Sequence, residues 1–92
     1  MGYRVKYSPK AEEDIGAYKK AGNKVAINRI NRIEGELKVH PREGIGKPEQ
    51  MKHKKVETWS RRVDEKNRMT YEIKEDIVTV AVVSAMGHYD DK

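Results

Sequence analysis

Hydrophobic and polar positions along the chain fall into two regimes with an irregular stretch between them. Tyr3, Val5 and Tyr7 alternate with Arg4 and Lys6, the period of a half-buried strand. Ser8-Pro9 then reads as a helix start: serine caps, and proline at the first helical position gives up no needed N–H. Glu12, Glu13 and Asp14 sit where the helix dipole favours negative charge, and Lys19, Lys20 and Gly22 mark the end. Ile15 and Tyr18 give this helix a thin apolar face. Asn23 is placed to cap a second helix. Its positions Ala26, Ile27, Ile30, Ile33 and Leu37 recur at spacings of three and four and share one face, with Lys24, Asn28, Arg29, Arg32 and Glu36 on the other. His40-Pro41 ends it, because the residue before proline is pushed out of helical geometry. From Pro41 to Lys55 the periodicity stops and a long loop is expected. Alternation returns in Trp59 to Val63, Arg68 to Lys74 and Ile77 to Ser84. The order β-α-α-β-β-β predicts an α+β fold: a small antiparallel sheet with an N-terminal helical hairpin packed on one face.

The turns fix a register. Glu65-Lys66-Asn67 suits a three-residue hairpin with Asn67 in the left-handed conformation, and Lys74-Glu75-Asp76 makes the next turn. Asp64 and Arg68 then flank the first loop, so Val63 pairs with Met69 and Arg62 with Thr70. Cross-strand partners share a face. Trp59, Val63, Met69, Tyr71 and Ile73 therefore point to the core, while Ser60, Arg62, Arg68 and Thr70 share the open face. Two arginines become neighbours there, and an anion between them would relieve their repulsion.

Composition narrows the function. The 92 residues suit one domain spanning 1–92. Cysteine is absent, which removes disulfides, thiolate metal sites and a cysteine nucleophile. Lys and Arg number 20 against 15 Asp and Glu, a net charge of +5, which favours a polyanionic partner. The apolar run Val80 to Val83 is too short to span a bilayer. The first residues lack an apolar run of signal-peptide length, and Lys6 stands where a myristoylation motif wants a hydroxyl, so a cytoplasmic location without membrane attachment is expected.

Candidate chemistry lies in the irregular stretch and after it. Gly44-Ile45-Gly46-Lys47 is not a phosphate-binding loop of the nucleotide type, because Pro41 replaces its first glycine and Pro48 its hydroxyl residue. His40, His53 and His88 lie at no metal-ligand spacing, so no metal or other cofactor is expected. The block from Lys47 to Arg62 carries six Lys or Arg and only Glu49 and Glu57. Glu49 lies among Lys47, Lys52 and Lys54, cations that favour its ionised form, and an ionised carboxylate beside a phosphate-binding surface can serve as a general base.

Together these segments resemble a known family. Glu43-Gly44-Ile45-Gly46-Lys47-Pro48-Glu49, Met51-Lys52-His53, Trp59-Ser60-Arg61-Arg62, Asn67-Arg68-Met69-Thr70-Tyr71 and His88-Tyr89 follow in the order seen in the YoeB/Txe group of the RelE/ParE toxin–antitoxin superfamily. The resemblance implies a ribosome-dependent endoribonuclease that enters the A site and cuts mRNA there without a metal. It implies a YefM-like antitoxin as partner, contact with operator DNA only through the toxin–antitoxin complex, and a tendency to dimerise. Carried over by position, it implies that Glu49 is the general base, Arg68 holds the scissile phosphate, and His88 and Tyr89 form the C-terminal active-site pair. Lys47, Lys52, His53 and Arg62 are implied to line the RNA groove. Many members end at the His-Tyr pair, whereas Asp90-Asp91-Lys92 follow here. Two rival readings lack this chemistry: a non-catalytic inhibitor on the same fold, such as a ParE-like gyrase poison, and a plain RNA-binding module that uses the basic face.

Overall fold

The computed structural model describes residues 2–87. Strand β1 (Arg4–Tyr7) leads into helices α1 (Pro9–Lys20) and α2 (Lys24–Leu37). Four strands follow: β2 (Glu49–Met51), β3 (Thr58–Arg62), β4 (Arg68–Lys74) and β5 (Thr79–Ser84), with a 3₁₀ turn at Glu75–Ile77 between the last two. The helix caps are those expected. Ser8 accepts a hydrogen bond from the Ala11 N–H at 3.0 Å, and Asn23 accepts one from Ala26 at 3.1 Å.

The sheet runs in the order β1-β5-β4-β3-β2, and the helical hairpin covers one of its faces. Tyr18 of α1 and Ala26, Ile30, Ile33 and Leu37 of α2 form one buried cluster with Met69, Tyr71, Ile73, Val80 and Val82. Two features extend the expected sheet. β1 pairs with β5 in parallel, so the sheet is mixed rather than wholly antiparallel: the two-helix crossover returns the chain to the sheet through β2, on the opposite edge. The stretch expected as an unbroken loop also contributes β2, whose three residues pair with β3.

The β3–β4 hairpin keeps its faces but not its register. Arg61, not Val63, lies opposite Met69, and Arg62 lies opposite Arg68 rather than Thr70, a slip of two residues. Side chains alternate with a period of two, so this slip leaves Arg62, Arg68, Ser60 and Thr70 together on the open face. The turn is longer than expected because Asp64 closes it. Its carboxylate accepts the Lys66 and Asn67 N–H groups at 2.8 and 2.7 Å and the Asn67 amide at 3.1 and 3.2 Å. Asn67 therefore needs no left-handed conformation; the non-glycine residues with positive φ among those described are Lys47, His53 and Val78. Val78, left-handed at the end of the 3₁₀ turn, delays the start of β5 from Ile77 to Thr79.

Two polar devices fasten the ends of the sheet. Asp14, a buried residue of α1, accepts the Ala85 N–H at 3.0 Å and pairs with Lys10 at 2.7 Å. The buried Tyr18 hydroxyl donates to the Ala85 carbonyl at 2.8 Å. Helix α1 thus binds the peptide groups on both sides of Ala85, just past β5, and so presents Asp14 to the protein interior beside the expected Tyr18; Ile15 is only half-buried. At the other end Arg42 reaches Glu57 at 2.8 and 3.0 Å and Glu75 at 2.6 Å, while Tyr3 donates to Glu75 and Trp59 to Glu57.

Candidate active site

The pairing of β2, β3 and β4 sets the site. Glu49 lies opposite Ser60, Ser60 opposite Thr70, and Arg62 opposite Arg68. Residues opposite or two apart on one face are neighbours, so Glu49, Ser60, Arg62, Arg68 and Thr70 form one polar cluster on the sheet face away from the helices. Arg68 is its centre. Its Nη2 lies 3.1 Å from Glu49 Oε1, and its Nη1 donates to the Ser60 hydroxyl at 3.1 Å. Ser60 is fully buried beneath it. The Arg68 side chain is only 18% exposed and so held in place, whereas Glu49 is 58% exposed and open to a ligand. Arg62, exposed, stands directly opposite Arg68. The cation bound to Glu49 is therefore Arg68, and not one of the loop lysines that surround it in sequence.

Chemically the cluster offers an exposed carboxylate and a fixed guanidinium side by side, with a second guanidinium adjacent. The carboxylate can accept a proton; the guanidinium groups can bind a phosphate oxygen by charge-assisted hydrogen bonds.

Other expected site residues are placed differently. Lys47 is exposed two positions before Glu49, at φ +50°. Lys52 and His53 are exposed in the β2–β3 turn, where His53 has φ +63°, and they line a shallow cavity of about 360 Å³ with Met51, Lys54 and Glu57. They flank Glu49 along the chain. His88 and Tyr89 lie outside the described residues. The last described residue, Gly87, is tied to the site: its carbonyl accepts the Arg68 N–H at 2.9 Å, and its N–H donates to Asn67 Oδ1 at 3.0 Å. Among the described residues no three of His, Cys, Asp and Glu come close enough to hold a metal ion.

Behind the cluster is a buried group that forms no part of the expected site. Arg61 follows Ser60 on β3, so its side chain enters the other face, where it is fully buried. Its Nε donates to the Tyr71 hydroxyl at 3.0 Å. Nη1 donates to Glu36 Oε1 at 2.5 Å and the Ile45 carbonyl at 3.3 Å, and Nη2 to the His40 and Glu43 carbonyls, both at 2.8 Å. Glu36, expected on the solvent side of α2, turns instead to Arg61 and also accepts the Ile45 N–H at 2.9 Å. Burial pushes the Glu36 carboxyl up, but the Ile45 N–H and the Arg61 guanidinium outweigh it and hold the group below the usual carboxylate range. One signal for this was present: position 61 falls between Trp59 and Val63 in the alternation of β3, so a cation there had to enter the core with a partner.

This fold and sequence pattern recur in known proteins. A family model described as the YoeB-like toxin of bacterial type II toxin-antitoxin systems matches residues 7–89. The chain belongs to this family. It is 39% identical over 85 residues to the toxin YoeB of Mycobacterium bovis, covering 92% of this chain and 96% of that one. The YoeB dimer from Staphylococcus aureus has the same fold, with a TM-score of 0.81 at 27% identity over 95% of this chain and 98% of its own. A YoeB–YefM complex from the same organism superposes with a TM-score of 0.77 at 28% identity, over 95% of this chain and 98% of that chain. This YoeB-like chain is accordingly a type II toxin of the RelE/ParE superfamily.

Proposed function

We propose that this YoeB-like toxin is an endoribonuclease that cuts mRNA in the ribosomal A site by attack of the ribose 2′-hydroxyl on its own phosphate. The observation that carries the reading is the Glu49–Arg68 pair, 3.1 Å apart on the open face of the sheet. In RNA the 2′-hydroxyl and the scissile phosphate are neighbours. A site that places a base next to a phosphate-binding cation matches them both at once.

Glu49 takes the proton of the 2′-hydroxyl as its oxygen attacks phosphorus. Arg68, oriented by Ser60, binds the non-bridging oxygens as negative charge builds on the pentacoordinate phosphorus, with Arg62 assisting from the opposite strand. His88 donates a proton to the departing 5′-oxygen, and Tyr89 orients the substrate or His88. The P–O5′ bond breaks, leaving a 2′,3′-cyclic phosphate and a 5′-hydroxyl. Lys47, Lys52 and His53 hold flanking phosphates. The reaction so drawn uses arginine rather than a metal for charge stabilisation.

The YoeB–YefM complex supports a YefM-like antitoxin as the restraining partner, and the YoeB dimer supports a homodimer. Operator DNA would be reached only through the antitoxin complex, and the cytoplasm is the place of action. No helix among the described residues is long and apolar enough to cross a membrane.

Ribosomes programmed with a defined A-site codon test the reading, with 5′ ends mapped after addition of the toxin. Wild type should cut within that codon. Glu49→Gln should slow cutting by about 10²–10⁴-fold, the usual contribution of a general base, and Arg68→Ala by about 10²–10³-fold. A Glu49→Gln variant that cuts as fast as wild type overturns the mechanism. Tight ribosome binding without cleavage would instead favour the plain RNA-binding module.

A further inference from the structure

We infer that Arg61 is a positioning residue for the cleavage reaction: it builds the loop that delivers Glu49 to Arg68. The inference rests on the activity proposed above and adds a residue that touches no substrate.

A guanidinium carries five N–H bonds. In Arg61 the five match five acceptors: the Tyr71 hydroxyl, Glu36 Oε1 and the carbonyls of Ile45, His40 and Glu43. Tyr71 in turn donates to the Pro41 carbonyl at 2.7 Å. The segment from His40 to Ile45 thus folds around one buried cation, its carbonyls turned inward where water would otherwise have to satisfy them. The wrap is tight. A Cβ on Gly44 would lie 2.0 Å from Glu36 Oε1 and 2.9 Å from Arg61 Nη1. The next link is also fixed, since Gly46 accepts the Arg62 N–H at 2.7 Å and a Cβ there would lie 2.9 Å from the Arg62 carbonyl. Three residues later comes Glu49. The loop therefore leaves Arg61 as a rigid arm. Its far end places the carboxylate opposite Ser60, the residue adjacent to Arg61 on β3.

Charge alone is not enough for this task. Lysine would keep the charge but offers three donors from one point and cannot reach five spread acceptors. Losing the arm would move the base relative to the phosphate, and misplacement by about 1 Å can cost on the order of 10²-fold in rate.

The test is a double-mutant cycle on programmed ribosomes under single-turnover conditions. Arg61→Lys should lower the maximal cleavage rate by at least about tenfold, with the half-saturating toxin concentration changed less than about twofold. In the Glu49→Gln background the same substitution should change the residual rate by less than about twofold, because the group it positions is already gone. Equal losses in both backgrounds would mean a general structural role and overturn the inference. Should Arg61→Lys not fold, Glu36→Gln, which keeps the shape and an acceptor for Ile45, reads the same cycle with a smaller loss. Hydrogen exchange separates this inference from the proposed activity. Arg61→Lys should speed exchange at residues 43–49 by at least about tenfold while leaving β4 and β5 unchanged. Uniform acceleration would overturn the positioning role even if cleavage were seen, whereas a wild type that cuts nothing would overturn the proposed activity and, with it, any role of Arg61 in cleavage.

Discussion

The Tyr18 hydroxyl joins α1 to the end of β5, and its removal has a calculable effect. Phe at position 18 keeps the buried ring, which is 3% exposed, and deletes one hydrogen bond to the Ala85 carbonyl. A buried carbonyl left without a donor costs about 1–3 kcal/mol. For a domain of this size Tyr18→Phe should therefore lower Tm by about 5–15 °C at neutral pH. The cost should also depend on pH. Burial, aided by the charges of Asp64 and Asp14, pushes the Tyr18 phenol up to about 12 from an ordinary value of 10.0. A group raised in the folded state gives stability that is complete below its unfolded value and is lost as pH climbs toward the folded one. The displacement corresponds to roughly 3 kcal/mol at full ionisation. Urea unfolding followed by Trp59 fluorescence at pH 7, 9, 10.5 and 11.5 should show wild type ahead by about 2 kcal/mol up to pH 9. The gap should shrink above pH 10 and vanish or reverse by pH 11.5. A gap that stays constant across the series, or none at pH 7, would refute the reasoning.

Other perturbations have equally definite outcomes. Val78 is β-branched and held at φ +49° while 45% exposed, so Val78→Asn should stabilise the fold by about 1 kcal/mol in urea unfolding; a loss would show that the conformation is not strained. Glu57 is held below the usual carboxylate range by Arg42, against burial, and with help from Trp59; Asp64 is held low when the Asn67 and Lys66 donors outweigh burial. Their stabilisation, with that of Glu36, is complete above about pH 4.5 and is lost as pH falls through the depressed values, so acid titration by circular dichroism should show unfolding below pH 4, and Glu57→Gln should flatten it. Ser60→Ala removes the hydroxyl that orients Arg68, and cleavage should fall about tenfold with the fold intact; an unchanged rate would deny Ser60 that role.

Alternation and helical spacing carried most of the fold, because they report which side chains must be buried. The caps at Ser8 and Asn23 were legible for the same local reason. What escaped depended on distant partners. β2 is three residues long and carries no apolar pattern of its own; it is a strand only because Thr58 to Ser60 are there to pair with it. The hairpin register turned on Asp64, whose carboxylate collects the turn's N–H groups and makes a longer loop favourable. That error did not disturb the site, since a slip of two residues preserves faces. Arg62 and Arg68 share the open face in either register. The partner of Glu49 is not legible in the sequence, because the loop lysines are near it along the chain and Arg68 is near it in space. The alternation of β3 turns Arg61 inward, but its partner is not legible: Glu36 falls on the polar face of α2 and meets Arg61 only once the helix packs across the sheet.

A single atom of the substrate tests the central claim most directly. A programmed ribosome carries a message with 2′-deoxyribose at the one nucleotide whose 3′ phosphate is cut, all other positions being RNA. If Glu49 deprotonates the 2′-hydroxyl while Arg68 holds the adjacent phosphate, cleavage at that phosphate stops, toxin binding persists, and the all-RNA control yields a 2′,3′-cyclic phosphate with a 5′-hydroxyl. Cleavage of the deoxy-substituted message at the same phosphate would contradict it, since the nucleophile would then have to come from elsewhere.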